Sequence, residues 1–239
     1  TKRENLCDQF KATGCHENGG YAEYFVIDEK YAVKIPLYYK NKLSESAPLL
    51  CGGSVGYRSI RLANIKNGEN ISIWGFGSAN HQVFQVIKYL YPDSKISVHT
   101  RNREEQILAK KLGADYVYSL DQTPYIKADK AIYTIPVWSI LLNAIENLNK
   151  GGKIVINLIR MQDEEKQRLL SLDYKEHLWM EKQIQTVANI TKKDAEDFLN
   201  LASKIPVKPE IEYYKLTDAN KALQDLKEGR IKGSKVLLI

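Results

Sequence analysis

Residues 70–101 hold the sequence pattern that most constrains how this chain can fold. The apolar run 71–74 predicts a strand, and it leads directly into 75–80, a turn with glycine at its first and third positions. Apolar residues then recur at helical spacing over 83–90, and a second apolar run at 96–98 predicts the next strand. A strand, a glycine turn, a helix and a strand in this order form the unit that binds a dinucleotide diphosphate.

The turn is suited to a diphosphate for physical reasons. Gly75 permits a backbone conformation that a side chain forbids, and Gly77 lets the main chain approach the phosphates closely. The helix that follows offers unpaired N–H groups and a partial positive charge. The third position of the fingerprint is Asn80 instead of glycine, and an ordinary tight strand-to-helix turn is the alternative interpretation. We predict a cofactor site formed by Gly75, Phe76, Gly77, Ser78, Ala79 and Asn80.

The composition of the chain limits the kinds of partner it needs. Its 239 residues carry a net charge of +6, but lysine and arginine are scattered among aspartate and glutamate. A lysine-rich solvated surface explains this charge, so we expect no nucleic-acid partner. The longest nearly apolar run, 131–142, is too short and too interrupted to span a membrane. Three widely spaced cysteines, and an opening unlike a secretory leader, predict a reducing, cytoplasmic location.

The middle of the chain alternates predicted strands and helices. After the first strand, helices are predicted at 79–91, 103–112 and 137–148, and strands at 95–100, 115–118, 130–134 and 153–158. Such alternation implies parallel strands joined by right-handed crossovers, with helices on both faces of the sheet. We therefore predict an α/β fold with a doubly wound parallel sheet of the Rossmann type.

The two ends of the chain differ in character from this centre. Residues 19–36 are β-branched and aromatic with polar interruptions, which predicts antiparallel β structure. Glycines mark 47–63, which predicts a helix packed closely on its neighbours. Later elements are predicted as strands at 184–188, 211–216 and 235–239 and as helices at 194–204 and 218–228. Both ends are expected to form one second domain.

A further signal comes from stretches spread over the whole chain, which are 3–7, 19–24, 47–57, 111–115, 151–155 and 226–230. In this order they resemble landmarks of the zinc-dependent alcohol dehydrogenases of the medium-chain dehydrogenase/reductase superfamily. The resemblance implies hydride transfer between a small alcohol or aldehyde and a nicotinamide coenzyme, in a homo-oligomer with a two-fold pair through the coenzyme domain. It also implies a Rossmann domain at 47–190 and an incomplete GroES-like β domain formed by both termini, with a remnant at 1–46 and a C-terminal return at 191–239.

The same resemblance assigns roles to two cysteines. Cys7 resembles the last ligand of the family's structural zinc, and Cys51 resembles the third ligand of its catalytic zinc and so counts as a catalytic residue. The other ligands of both sites would precede Thr1, so the chain is expected to be truncated and to hold neither metal firmly. Two other interpretations stay open: a catalytically inactive NADP-binding fragment, and a quinone-reductase-like member of the superfamily that needs no zinc.

The end of the second predicted strand bears on the choice of coenzyme. An acidic residue there would bind the ribose hydroxyls of NAD, but the sequence continues Thr100, Arg101 and Asn102, and the first acid is Glu104. A hydroxyl and a guanidinium favour a 2′-phosphate, so NADP is the predicted coenzyme and NAD the alternative. By resemblance, the ribose and nicotinamide would be flanked by Thr134, Ile135 and Pro136 and by Asn157, Leu158 and Ile159. His81 is expected either to add a hydrogen bond beside the turn or to lie on the helix surface.

Overall fold

The computed structural model describes residues 3–205, 207–229 and 233–239. Its α-helices are α1 (Leu43–Pro48), α2 (Ser54–Ala63), α3 (Asn80–Leu90), α4 (Arg103–Lys111), α5 (Trp138–Glu146), α6 (Lys192–Lys204) and α7 (Ala219–Lys227). Its strands are β1 (Ile71–Trp74), β2 (Ile96–His99), β3 (Tyr116–Tyr118), β4 (Ala128–Tyr133), β5 (Leu148–Ile156), β6 (Gln183–Thr186), β7 (Ile211–Lys215) and β8 (Ser234–Leu238). Single turns of other helix types lie between them, including a 3₁₀ turn at Glu29–Tyr31 and a π turn at Leu49–Gly53.

The first six strands form one parallel sheet, in the order β3-β2-β1-β4-β5-β6. The strand order runs in opposite directions on the two sides of the β1 and β4 pair, so the chain is doubly wound. Trp74, the last residue of β1, pairs with His99 of β2 on one side and with Tyr133 of β4 on the other. This topology confirms the predicted Rossmann sheet, and it places a crevice beyond the carboxyl ends of β1 and β4.

Helices cover both faces of this sheet, which explains why every residue of β1 and β2 is buried. On one face, Ile71 and Ile73 share a hydrophobic core with side chains of α2, α3 and α6. On the other face, Trp74 and Tyr133 pack with α5. The alternation of side chains along each strand therefore feeds two separate cores, one on each side of the sheet.

The prediction of antiparallel β structure in residues 19–36 is wrong for the described chain. This segment contains a 3₁₀ turn at Glu29–Tyr31 and no strand. Its side chains point largely to solvent, with Tyr24 89% and Val26 96% exposed. β propensity is realised only where a neighbouring strand supplies hydrogen bonds and an apolar face, and no described strand pairs with this segment. The GroES-like domain therefore stays a prediction.

The two ends of the chain meet in the structure. The hydroxyl group of Tyr39 donates a 2.9 Å hydrogen bond to the carbonyl oxygen of Ala202. The C-terminal elements appear as predicted, and β7 and β8 form a separate parallel pair, while α6 shares the core of the large sheet. No described helix is long and apolar enough to cross a membrane. The division into 1–46, 47–190 and 191–239 stays a prediction.

Candidate functional site

The residues predicted to bind a dinucleotide follow the carboxyl ends of four neighbouring strands. Residues 75–80 follow β1, residues 100–102 follow β2, residues 134–136 follow β4 and residues 157–159 follow β5. Because all four strands are parallel, these segments share one edge of the sheet. This is the edge at which open parallel sheets bind their ligands.

Gly75 begins the turn in a conformation that only glycine adopts easily. Its φ angle is +82°, and a Cβ atom there would lie 2.7 Å from Oγ1 of Thr134. Its N–H donates a 2.8 Å hydrogen bond to the carbonyl oxygen of His99, which ties the start of the turn to β2. The turn therefore depends on glycine both for its backbone and for the close approach of the segment after β4.

The backbone amides that follow Gly75 are free hydrogen-bond donors in the described chain. Among the described residues, no hydrogen bond is made by the N–H groups of Phe76, Gly77, Ser78, Ala79 and Asn80. They precede α3, whose N-cap residue has no capping side chain. Consecutive free donors at a helix N-terminus, where the helix dipole adds positive charge, are suited to an anion such as a diphosphate.

Asn80, which occupies the position of the third glycine, stabilises the turn through side-chain hydrogen bonds. It is buried, and its Nδ2 group donates to the carbonyl oxygen of Gly75 at 2.8 Å and to Oγ1 of Thr134 at 2.9 Å. A longer contact of 3.3 Å reaches the carbonyl oxygen of Trp74. A glycine at this position would allow the helix to pack closely on the strand. The asparagine instead connects the turn to the residue after β4 through hydrogen bonds.

His81 connects the turn to the C-terminal part of the chain. Its Nδ1 atom lies 3.0 Å from the carbonyl oxygen of Gly77, and its Nε2 atom accepts a 3.1 Å hydrogen bond from the N–H of Glu210. This arrangement requires the neutral ring with the proton on Nδ1, and burial lowers the pKa of His81 accordingly. The hydroxyl groups of Ser78 and Ser234 also meet here. His81 is buried, so the alternative position on the helix surface is wrong, and a hydrogen bond from His81 to a bound ligand stays a prediction.

The side chains of Phe76 and Ala79 face the protein, so these residues offer only backbone groups to a ligand. Phe76 is buried with its ring edge-on to Phe84 at 5.7 Å. A Cβ atom on Gly52 would lie 3.3 Å from the Cα atom of Ala79, so the π turn that carries Cys51 packs tightly behind the glycine turn. The predicted close packing of the glycine-marked segment is confirmed.

The segment after β2 contains a carboxylate that sequence reasoning missed. Thr100 is buried, and its hydroxyl donates to the carboxylate of Glu105, in the first turn of α4. Asn102 caps this helix by accepting hydrogen bonds from the N–H groups of Glu104, at 2.9 Å, and Glu105, at 3.4 Å. Arg101 is exposed, and its guanidinium has no partner within the described part of the chain. The sequence signal that could have pointed to Glu105 was an acidic residue in the first turn of the helix that follows the second predicted strand.

The segments after β4 and β5, residues 134–136 and 157–159, differ in how closely they approach the glycine turn. Thr134 donates through N–H and through its hydroxyl to the carbonyl oxygen of Trp74, both at 3.0 Å, and Ile135 lies 3.2 Å from the position of a Cβ atom on Gly75. The N–H of Asn157 donates to Tyr133 at 2.8 Å, which extends the ladder beyond β5. Three remaining positions lie at the same edge of the sheet: Pro136, Leu158 and Ile159, the last 99% exposed.

A buried histidine lies beneath this edge and stacks on aromatic neighbours. The ring of His99 stacks on Trp74 with centroids 3.9 Å apart and on Tyr118 with centroids 5.1 Å apart. Burial lowers the pKa of His99 to about 3, so the ring is neutral at physiological pH. His99 is therefore a packing residue of the sheet.

Neither of the predicted metal ligands belongs to a cluster of metal-binding side chains among the described residues. Cys7 and Cys51 are exposed free thiols, and Cys51 belongs to the π turn Leu49–Gly53. Over residues 3–205, 207–229 and 233–239, no group of three or more His, Cys, Asp and Glu side chains is placed to hold a metal ion. The roles of Cys7 and Cys51 as zinc ligands stay predictions.

Comparisons with known proteins agree with this architecture. The sequence is similar to a probable alcohol dehydrogenase, AdhA, of Mycobacterium tuberculosis, with 37% identity over 236 residues that cover 99% of this chain and 66% of the relative. Among solved structures, the alcohol dehydrogenase of Aeropyrum pernix has a TM-score of 0.84 at 21% identity and covers 98% of this chain and 69% of that one. The acetophenone reductase of Geotrichum candidum in complex with NAD has a TM-score of 0.82 at 22% identity, with coverages of 99% and 67%.

These similarities differ in what they establish. No profile of a known protein family matches the chain. At the identities given, the two solved structures show the fold alone. The Mycobacterium relative shares sequence along almost the whole of this chain, which spans just under two thirds of that relative's length. The chain therefore belongs to the alcohol dehydrogenase family.

Proposed function

We propose that this protein is an oxidoreductase that binds a nicotinamide dinucleotide and interconverts a small alcohol and an aldehyde. The observation that carries the proposal is the run of free amides over residues 76–80 at the start of α3. A bound nicotinamide supplies the carbon that gives or takes the hydride. The residues of this chain bind the diphosphate through the turn and orient the rest of the dinucleotide along the crevice beyond β1 and β4.

For the coenzyme we propose NADP(H), with NAD(H) as the alternative. The exposed guanidinium of Arg101 follows Thr100 directly, and a guanidinium pairs with phosphate through two parallel hydrogen bonds. Arg103, which is also exposed, adds a second positive charge at the start of α4. Both observations support a ligand that carries a phosphate on the adenosine ribose.

The described donor set does not fit a zinc ion, so no step of the proposed reaction is assigned to a metal. A catalytic zinc needs three protein ligands and one open position. Cys51 supplies one thiolate, and none of the described residues completes a set of three donors around a common point. A homo-oligomer and a cytoplasmic location likewise stay predictions.

Titration of the folded protein with NADPH and with NADH, followed by coenzyme fluorescence, tests the proposal. Gly77→Ala is the variant that tests the turn, because the added methyl group would meet a single neighbour among the residues described, the Glu105 carboxylate at 3.8 Å, and so leaves the fold intact. It should weaken coenzyme binding at least about tenfold by holding the phosphates away from the amides. Gly20→Ala is the control, since an added Cβ atom there would have no neighbour within 4 Å in the part of the chain that the structure describes. A folded sample that takes up neither coenzyme would overturn the proposal.

A dinucleotide-binding protein without catalysis is the second candidate. It is favoured by the incomplete metal donor set among the described residues. Metal analysis and an alcohol oxidation assay separate the two candidates in a preparation that binds coenzyme. Alcohol turnover supports the enzyme, with the metal content showing whether zinc takes part, whereas coenzyme binding without turnover supports the second candidate.

A further inference from the structure

We propose that the carboxylate of Glu105 opposes Arg101 in the choice of coenzyme, because it accepts a hydrogen bond from the adenosine ribose and weakens the binding of a 2′-phosphate. The inference rests on the proposed function, because it concerns the same crevice. Glu105 is the third residue of α4, which follows the end of β2 after a short connection. The first turn of the helix brings its side chain back to the end of that strand.

One oxygen of this carboxylate is fixed by the protein. Oε2 of Glu105 accepts the hydroxyl hydrogen of Thr100, which is only 3% exposed. Thr100 is itself held in place, since its N–H donates a 3.0 Å hydrogen bond to the carbonyl oxygen of Tyr118. A second constraint comes from the N–H of Asn102, which lies 3.3 Å from the Thr100 hydroxyl oxygen. The carboxylate is therefore positioned before any ligand arrives.

The other oxygen faces the glycine turn. Oε1 of Glu105 lies 3.8 Å from the position of a Cβ atom on Gly77, and no other atom of the described residues outside the adjoining chain lies within 4 Å of that position. This oxygen has no hydrogen-bond or ion-pair partner within the described residues. A free acceptor thus lies beside the turn whose amides meet the diphosphate, where the adjoining ribose must pass.

The chemistry of the two coenzymes follows from this placement. A ribose with both hydroxyl groups free can donate to the carboxylate in a charge-assisted hydrogen bond. A 2′-phosphate has no such hydrogen and carries negative charge, so the carboxylate repels it. Arg101 acts in the opposite direction, because its exposed guanidinium attracts a phosphate. Glu105 and Arg101 therefore oppose each other, and loss of the carboxylate leaves the arginine unopposed.

The test is a fluorescence titration of NADH and NADPH with three forms of the protein: the natural sequence, Glu105→Gln and Glu104→Gln. Glutamine keeps the shape of glutamate and removes the charge. Glu104 is the matched control, because it belongs to the same turn of α4 but is exposed and directs no side-chain hydrogen bond to the site. Thermal unfolding of each form shows that the fold is retained.

We expect Glu105→Gln to tighten NADPH binding about tenfold or more and to weaken NADH binding about threefold. Glu104→Gln should change both dissociation constants by less than about twofold, because an exposed charge is screened. If Glu105→Gln shifts the ratio of the two constants no more than Glu104→Gln does, the inference is wrong although the proposed function stands. If the natural sequence binds neither coenzyme, the proposed function fails first and this inference falls with it.

Discussion

Replacement of Asn80 by aspartate tests how the glycine turn is held. The amide Nδ2 group donates to the carbonyl oxygen of Gly75 at 2.8 Å and to Oγ1 of Thr134 at 2.9 Å, and it lies 3.3 Å from the carbonyl oxygen of Trp74. Aspartate has the same shape but presents an oxygen at this position. The Thr134 hydroxyl already donates to Trp74, so it offers the new oxygen no hydrogen without giving up that bond.

The destabilisation follows from the hydrogen bonds that aspartate cannot make. Each hydrogen bond contributes about 0.5–1.5 kcal/mol net, so the two short bonds and the longer one amount to roughly 1.5–4.5 kcal/mol. Burial of a negative charge among carbonyl oxygens destabilises the variant further, because Asn80 is only 1% exposed. We expect the free energy of unfolding to fall by about 3 kcal/mol. Dinucleotide affinity should fall at least about tenfold, because the charge lies beneath the amides that meet the phosphates.

Denaturant unfolding curves and NADPH titration at neutral pH measure the two effects. Asn143→Asp on α5 is the control, because it removes an Nδ2 donor to Leu120 at 3.1 Å in a contact that does not involve the turn. It should lower stability and leave coenzyme affinity unchanged. An Asn80→Asp protein within about 0.5 kcal/mol of the natural stability, with natural affinity, would refute this account of the turn.

Two further predictions concern buried ionisable groups. Burial lowers the pKa of His99 to about 3, and the unfolded chain takes up this proton near pH 6.5, so stability should fall as the pH drops between these values, by about 1.4 kcal/mol per unit. Urea unfolding at a series of pH values measures this dependence. The free energy of unfolding of His99→Phe should fall less steeply with decreasing pH, and the dependence that is left is due to His81. An unchanged dependence on pH would argue against this origin. For Asp194, burial raises the pKa but hydrogen bonds from Thr191 and Arg58 outweigh it, so the pKa is lowered and the carboxylate stabilises the fold above its ordinary pKa of 3.8. Asp194→Asn should cost about 3 kcal/mol at neutral pH and progressively less in acid. The control Asp197→Asn, at a half-buried carboxylate paired with exposed Lys193, should cost under about 1 kcal/mol, and equal losses in the two variants would contradict the stabilising role of the Asp194 carboxylate.

The unit around β1 was predictable because its signals are local. Apolar runs, helical spacing and glycine placement specify β1, the turn, α3 and β2 within one short stretch of consecutive residues, and Gly75 has the positive φ that the pattern required. Alternation of strands and helices also predicted the parallel sheet, because crossover connections have one preferred hand. These features depend on residues that are close along the chain.

The prediction in residues 19–36 failed because strand formation needs a partner. The side chains there have high β propensity, but the described chain places no strand beside them, and Val26 remains 96% exposed. The role of Asn80 was hidden for a related reason. Its hydrogen-bond acceptor Thr134 lies 54 residues away in sequence, and only the fold brings the two together.

By itself, the sequence determined the order of the elements along the chain: where the backbone turns, where a helix can begin, and which sheet type the alternation allows. Only the tertiary structure decided which side chains meet at the sheet edge, including the placement of Glu105 against Thr100 and Gly77. The physical reason is the separation along the chain of the residues that interact. Backbone preference and periodicity act between near neighbours, whereas burial, hydrogen-bond partners and electrostatic surroundings are set by segments that become neighbours only after folding.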